Sequence, residues 1–278
     1  MRKFRGIIIF TLVLIFFAQI QVDAQDKSEG SDISELAKQS QNPVANMYQV
    51  PVSFLGDFNS GANKLFVSSL MVKPVIPITL SPKLLFIFRA IVPVTFMPKP
   101  VNKSGLSDIQ LQFYLSPINK SKFIWGVGPL ISLPTGIPAE MCSGKWTTGA
   151  NFAGLFMLKH WVVGALVTQR WSFAGISSPD AADINQLYVN AFASYNFKHG
   201  WALGYSPEIY VNWNQVDYGW NFPLGLYVSK VFKIGKQPIS ASLAYYNNVV
   251  RPDNYPDMYV KAGLSFLFPK KPKQLNNQ

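Results

Sequence analysis

The chain has 278 residues, with 25 basic against 14 acidic side chains, a formal charge of +11, 14% aromatic residues and one cysteine. A lone Cys142 excludes an internal disulfide framework and reads as a loop residue. So little charge beside so many aromatics is unusual for a soluble protein, and the basic balance would suit nucleic acid only if the chain stayed inside the cell.

The N-terminus argues that it does not stay. Arg2, Lys3 and Arg5 precede an apolar run from Ile7 to Ile20, and Val22-Asp23-Ala24 offers small cleavage positions. This is the pattern of a secretory signal peptide over 1–24, and the run is short for a membrane anchor. No cysteine follows the cleavage position, so a lipoprotein is not expected. Losing Arg2, Lys3, Arg5 and Asp23 lowers the charge from +11 to +9. Export excludes nucleic acid as a partner.

Residues 25–46 are polar. SDISELAKQSQNP predicts a short helix capped by Asp32 or Ser34 and ended by Pro43, in a periplasmic N-terminal segment. From Met47 the pattern changes to alternation. Tyr48, Val50, Val52 and Phe54 share one face, and Gln49 and Ser53 the other; a period of two is the signature of a strand. Further strands are expected at 65–80, 84–97, 107–116, 123–134, 146–158, 161–173, 184–197, 201–213, 219–231, 238–250 and 258–268. The clearest hairpin is 188–213, turning at Lys198-His199-Gly200. On its second strand Trp201, Leu203, Tyr205, Pro207, Ile209, Val211 and Trp213 form one greasy face, and Glu208, Tyr210 and Asn212 lie opposite. Apolar outside, polar inside and aromatics at both ends describe a strand between lipid and a wet lumen.

The expected fold is therefore all-β: a transmembrane, antiparallel, up-and-down β-barrel of about twelve strands over 47–269, followed by a basic periplasmic tail, 270–278. Tight turns alternate with longer loops, which places the turns on the periplasmic side. Lys83, Lys120, Lys122, Lys198, Lys233, Lys236, Lys270, Lys271 and Lys273 then lie near the membrane–water border, where anionic headgroups meet them. Pro51, Pro74, Pro77, Pro93, Pro129, Pro207 and Pro223 fall inside expected strands and suggest bulges or strand portions beyond the bilayer. Leu264, Phe266 and Phe268 close the last strand with the kind of terminal aromatic that barrel-assembly machinery reads, although the tail continues past it.

SPINKSKFIWGVGPLISLPTG, SGKWTTGA, WVVGALVTQRWSFAG, VFKIGKQPISASLAYYNNVVRPD and FLFPK resemble a family of bacterial outer-membrane proteins described as transporters and often mislabelled neuromedin U. That family is similar to the barrels grouped with the MetA-pathway phenol-degradation proteins. The resemblance covers Leu36 to Lys270 and implies a porin-like barrel in the outer membrane of a Gram-negative cell; it carries over no binding residues.

Inward parity selects the candidate lumen residues Lys73, Arg89, Asp108, Arg170, Glu208, Tyr210 and Lys261, because a lipid-facing Lys or Arg near the midplane costs about 2–4 kcal/mol. Tyr114, Tyr188, Tyr227 and Tyr259 share that parity, to stack on a solute or to fill volume. The charges allow two readings: a pore lined by opposed charges, or a plug in which pairs such as Arg89 and Asp108 on neighbouring strands neutralise each other. No catalytic residues, metal ligands or cofactor are expected. His160 and His199 fall at separate turns, without a nucleophile motif or zinc spacing. The function expected is a passive channel or transporter for small solutes, hydrophobic or aromatic ones among them, with outer-membrane lipid and the assembly machinery as partners. The rival is a closed structural or surface-binding barrel.

Overall fold

The computed structural model describes residues 27–118, 121–176, 182–215 and 219–270. The expected signal peptide and residues 271–278 of the tail lie outside these. One helix, α1 (Lys27–Ser40), precedes fifteen strands: β1 (Met47–Ser60), β2 (Leu65–Val72), β3 (Val75–Ser81), β4 (Leu84–Met97), β5 (Lys103–Leu106), β6 (Ile109–Pro117), β7 (Phe123–Leu133), β8 (Lys145–Met157), β9 (Trp161–Gly175), β10 (Asn185–Asn196), β11 (Trp201–Tyr205), β12 (Ile209–Asn212), β13 (Phe222–Ile234), β14 (Gln237–Val250) and β15 (Met258–Pro269).

These strands make twelve antiparallel staves, because β2 with β3, β5 with β6, and β11 with β12 are each one stave interrupted in the middle. The last stave returns to the first, with β15 pairing β1 from Met47↔Pro269 to Phe58↔Met258. Closure gives the sheet's edge N–H and C=O groups partners, which is what lets a sheet sit in hydrocarbon.

The side chains sort as alternation predicts. Phe54, Phe66, Phe152, Trp171, Leu226, Leu264 and Phe268 stand exposed on the outer wall, while Gln49, Ser53, Gln112, Ser132, Thr147, Asn151, Thr168 and Ser194 are buried inside. A soluble protein inverts this arrangement; a membrane barrel requires it. Thr168 and Asn151 are linked: the Thr168 hydroxyl donates to Asn151 Oδ1 (3.0 Å), whose amide donates to the Pro129 carbonyl (3.0 Å).

Two sequence expectations are corrected. The hairpin strand 201–213 is not continuous; its ladder stops after Tyr205 and resumes at Ile209. Pro207 has no N–H to give, and the neighbouring N–H groups of Ser206 and Glu208 instead donate to the hydroxyls of Tyr246 (2.7 Å) and Tyr259 (3.1 Å). Pro74 marks a comparable gap between β2 and β3, yet Pro51, Pro77 and Pro129 sit in paired strands, matched with Ser265, Ile87 and Ala150. The second correction concerns α1, which begins at Lys27, so Asp32 and Ser34 lie within it rather than capping it. Tertiary packing outweighs the capping preference here: Ile33, Leu36 and Ala37 pack in an apolar cluster with Ala45, Met47, Val231 and Leu267. The helix ends at Ser40 before Pro43, as expected.

The helix crosses the barrel end that carries the termini and the tight turns. Gly200 in the Lys198–Gly200 turn has φ +77°, and a Cβ there would come within 2.6 Å of Ile33 Cγ2, so glycine meets both the backbone and the packing demand. At the opposite end the longer loops are tied together by Lys145–Asp183 (3.0 Å), Arg251–Asp257 (2.6 Å) and a Lys103–Glu140 ion pair. The Asp183 carboxyl is held below its ordinary 3.8, first by the hydrogen bond from Lys145, then by its charge, and by the Ser172 hydroxyl. A depressed carboxylate stabilises the fold above its unfolded value and loses that contribution as pH falls through its lower folded value. Exchange of the Ile184 amide, which donates to Ser172 Oγ (3.0 Å), is therefore expected to accelerate below that range beyond its intrinsic pH dependence. In Lys145→Met it should already be fast at neutral pH. Equal protection of the native and variant proteins at neutral pH rejects the anchor.

Candidate functional site

The interior is a train of cavities with shared walls. A vestibule of about 420 Å³ opens among the long loops and is lined by Leu55, Asp57, Asn248, Tyr255 and Tyr259. It shares Arg170, Gln186, Glu208 and Tyr210 with a central cavity of about 220 Å³. The central cavity in turn shares Arg89, Leu166 and Tyr188 with a cavity of about 230 Å³ toward the termini. A fourth, of about 200 Å³, lies beside it under Lys261, Tyr246 and Tyr259.

Lys73, Arg89, Asp108, Arg170, Glu208 and Tyr210 all line the central cavity, and Lys261 lines its neighbour. Three of the charges occupy the gaps of the interrupted staves. Lys73 falls between β2 and β3, Asp108 between β5 and β6, and Glu208 between β11 and β12. Within a paired strand the pleat fixes a side chain's direction; a gap releases the backbone from that constraint. At Glu208 the diversion is strongest, for Asn190 holds Ser206 Oγ (3.0 Å) and the Pro207 carbonyl (2.7 Å), and the Asn221 amide donates to the Glu208 carbonyl (3.0 Å).

Charge pairing differs from the simplest sequence reading. Arg89 stands opposite Gln112 in the β4–β6 register, not opposite Asp108. Asp108 instead accepts from the N–H groups of Gly136 (3.1 Å) and Ser143 (2.9 Å) and from the Ser143 hydroxyl (2.5 Å), so it pins the loop above β7. Glu208 pairs with Lys261 at 2.5 Å. Arg170 is held by a neutral acceptor, Gln186 Oε1, at 3.0 and 2.5 Å. Among the described residues neither Lys73 nor Arg89 has an ion-pair partner, and Arg89 Nε is buried without any hydrogen-bond acceptor.

The tyrosines divide into wall and filler. Tyr188 and Tyr210 form a tilted ring pair at 5.0 Å on the central cavity. Tyr246 and Tyr259 stack at 5.0 Å and cap the N–H groups of the broken stave. Tyr114 is 1% exposed, packed in an apolar cluster with Val75, Leu85, Ile87, Leu155, Val162 and Phe192. Tyr227 lines the two cavities nearest the termini.

Sequence reasoning missed the floor. Val44 is 2% exposed in the Tyr114 cluster, and a Cβ on Gly126 would lie 3.0 Å from its Cγ1. The Gln41 amide donates to Asn196 Oδ1 (2.8 Å) and Gln41 Oε1 accepts from the Ser194 hydroxyl (2.5 Å). Ser40 and Gln41 line both terminal-side cavities, with Asn42 and Pro43 joining in one. The stretch after α1 thus enters the lumen; the only sign of this in the sequence is Val44-Ala45, an apolar pair in a polar segment. His160 stacks on Tyr195 at 5.6 Å, His199 occupies a turn with φ +58°, and Cys142 lies in the loop after β7.

No family model matches this sequence, and no curated protein does. Solved structures do. An outer membrane channel from Pseudomonas putida F1 superposes with a TM-score of 0.59 at 14% identity, covering 80% of this chain and 96% of that one. The NanC porin gives 0.51 at 9% identity, over 80% of this chain and 100% of that one. Identities so low show a shared fold. Together with the apolar outer wall they place the chain in the class of twelve-stranded membrane β-barrels.

Proposed function

We propose that this protein is a bacterial outer-membrane channel for small solutes, hydrophobic or aromatic ones among them, of the transporter family that its motifs resemble. In this reading residues 1–24 export the chain, barrel-assembly machinery inserts it, α1 lies on the periplasmic side, and the long loops face outward. The observation that carries the proposal is the run of cavities from the vestibule to the Gln41 floor, each sharing lining residues with the next. A structural barrel needs no such path, and interior side chains fill small barrels readily. The fold of the Pseudomonas putida channel supports the reading. A second reading, a closed barrel that works through its loops, draws on the Val44 cluster and the Gln41 contacts, which narrow the terminal end.

Purified protein in liposomes distinguishes the two. The channel reading expects small-solute swelling and discrete conductance steps in planar bilayers. Liposomes that stay impermeable, with heat-modifiable gel migration showing a folded barrel, reject it.

A further inference from the structure

We infer that the central cavity is a binding site for a small organic carboxylate, with Lys73 and Arg89 receiving its charge and the Tyr188–Tyr210 ring pair receiving its body. The inference names a substrate class for the channel and so rests on that reading, although the site can be tested without it.

Four cations face the central cavity and its two terminal-side neighbours (Lys73, Arg89, Arg170, Lys261) against two carboxylates, Asp108 and Glu208, with Asp57 a third carboxylate on the vestibule side. The first two carboxylates are engaged, Glu208 by Lys261 at 2.5 Å and Asp108 by three donors of the Gly136–Ser143 loop. Arg170 has Gln186, and Asp108 is within electrostatic reach of it. The surplus therefore falls on Lys73 and Arg89. Both act on Glu208 through space, as does Lys261, so one carboxylate serves three cations. A buried guanidinium N–H left without an acceptor forfeits a charged hydrogen bond, and Arg89 Nε is such a group. An anion entering the cavity would meet the Arg89 guanidinium, which no described carboxylate pairs with, although Nε itself is sealed from the cavity. Arg and Lys together suit a two-oxygen head, Arg through its planar fork and Lys as a point charge.

Beside the cations the cavity presents Met71, Ile91 and Leu166 and the Tyr188–Tyr210 pair with ring centroids 5.0 Å apart. An inorganic anion would gain nothing from these surfaces. A flat apolar body the size of one aromatic ring fits a cavity of about 220 Å³ and stacks on the tyrosines. Glu208, next to the cations, keeps the field moderate, so the anion can leave as well as enter, which conduction requires.

The probe is benzoate, with neutral benzamide and inorganic phosphate as controls, on the full-length protein in planar bilayers under a potassium chloride gradient and in detergent by calorimetry. The expected results are an anion-selective reversal potential and a saturable benzoate block that benzamide and phosphate do not reproduce. Lys73→Met and Arg89→Gln should each weaken the block about tenfold, the scale of one charged hydrogen bond. Conductance without anion preference or block overturns the site and leaves the channel standing. Equal block by phosphate also overturns it, because the apolar wall would then have no part. Absent conductance with benzoate heat that both folded variants lose supports the site and sinks the channel. Absent conductance and absent heat sink both. The arms on the native protein decide even where a variant fails to fold.

Discussion

Deleting residues 25–46 is expected to raise single-channel conductance several-fold while leaving a closed twelve-stave barrel. The ladder begins at Met47, paired with Pro269, so no stave is lost. What is lost is the floor. Ser40 and Gln41 line both cavities nearest the termini, Asn42 and Pro43 line one of them, and Gln41 is fixed to Asn196 and Ser194. Ile33, Leu36 and Ala37 hold the helix over the same end. Removing this polar and apolar bridge widens the terminal-side end of the path. It also exposes the groups it covered: burying each Leu or Ile side chain is worth about 1.5–3 kcal/mol, so the deletion variant should unfold at lower denaturant concentration. Gly126→Val offers a milder test of the same contact, since a Cβ at that position already meets Val44 Cγ1 at 3.0 Å. Its conductance should rise less than that of the deletion. Unchanged conductance in a folded deletion variant would show that the segment does not close the lumen.

Why was the barrel so legible and the floor so opaque? A lipid-facing strand carries its constraint in every second residue. Ile109, Leu111, Phe113 and Leu115 against Gln110, Gln112 and Tyr114 leave little choice of face, and β6 takes up that register. Strand parity turns Arg89, Arg170 and Tyr210 to the central cavity, because a charge in the wall can only point inward without large cost, while Lys73, Asp108 and Glu208 reach the same cavity from the gaps. Parity says nothing about partners. Asp108 was within reach of Arg89 by strand order, but the loop N–H groups of Gly136 and Ser143 reach it first. It also assumes an unbroken pleat. Pro207 ends that assumption at Glu208, where two tyrosine hydroxyls accept the N–H groups that a neighbouring strand would have accepted. The segment after α1 has no period to read: Gln41 is placed by Asn196, 155 positions away, and Val44 by a cluster that takes in Tyr114, Leu155 and Phe192. Long-range contact of this kind leaves no local signature.

Replacing Glu208 with Gln is expected to destabilise the barrel by about 3 kcal/mol, the lower end for a broken buried ion pair, and to shift its selectivity further toward anions. Glu208 is 7% exposed, and its partner Lys261 retains 30% side-chain exposure, so lumen water softens the loss on the lysine side. The backbone around position 208 should hold, because Tyr259 accepts its N–H and Asn221 donates to its carbonyl independently of the side chain. The variant therefore changes charge at nearly constant shape. What remains is Lys261 beside Lys73 and Arg89, three cations whose shared counter-charge has gone. Their mutual repulsion is relieved by taking one away: Glu208→Gln with Lys261→Gln should recover most of the lost stability, giving a coupling energy well outside the additive range of about 0.3–0.5 kcal/mol. Urea unfolding in detergent measures the cycle, and reversal potentials in bilayers measure the selectivity. If the single variant is as stable as the native protein, or the double variant no better than the single, then the pair is an exposed contact of little consequence, and Glu208 is not what restrains the charge of the lumen.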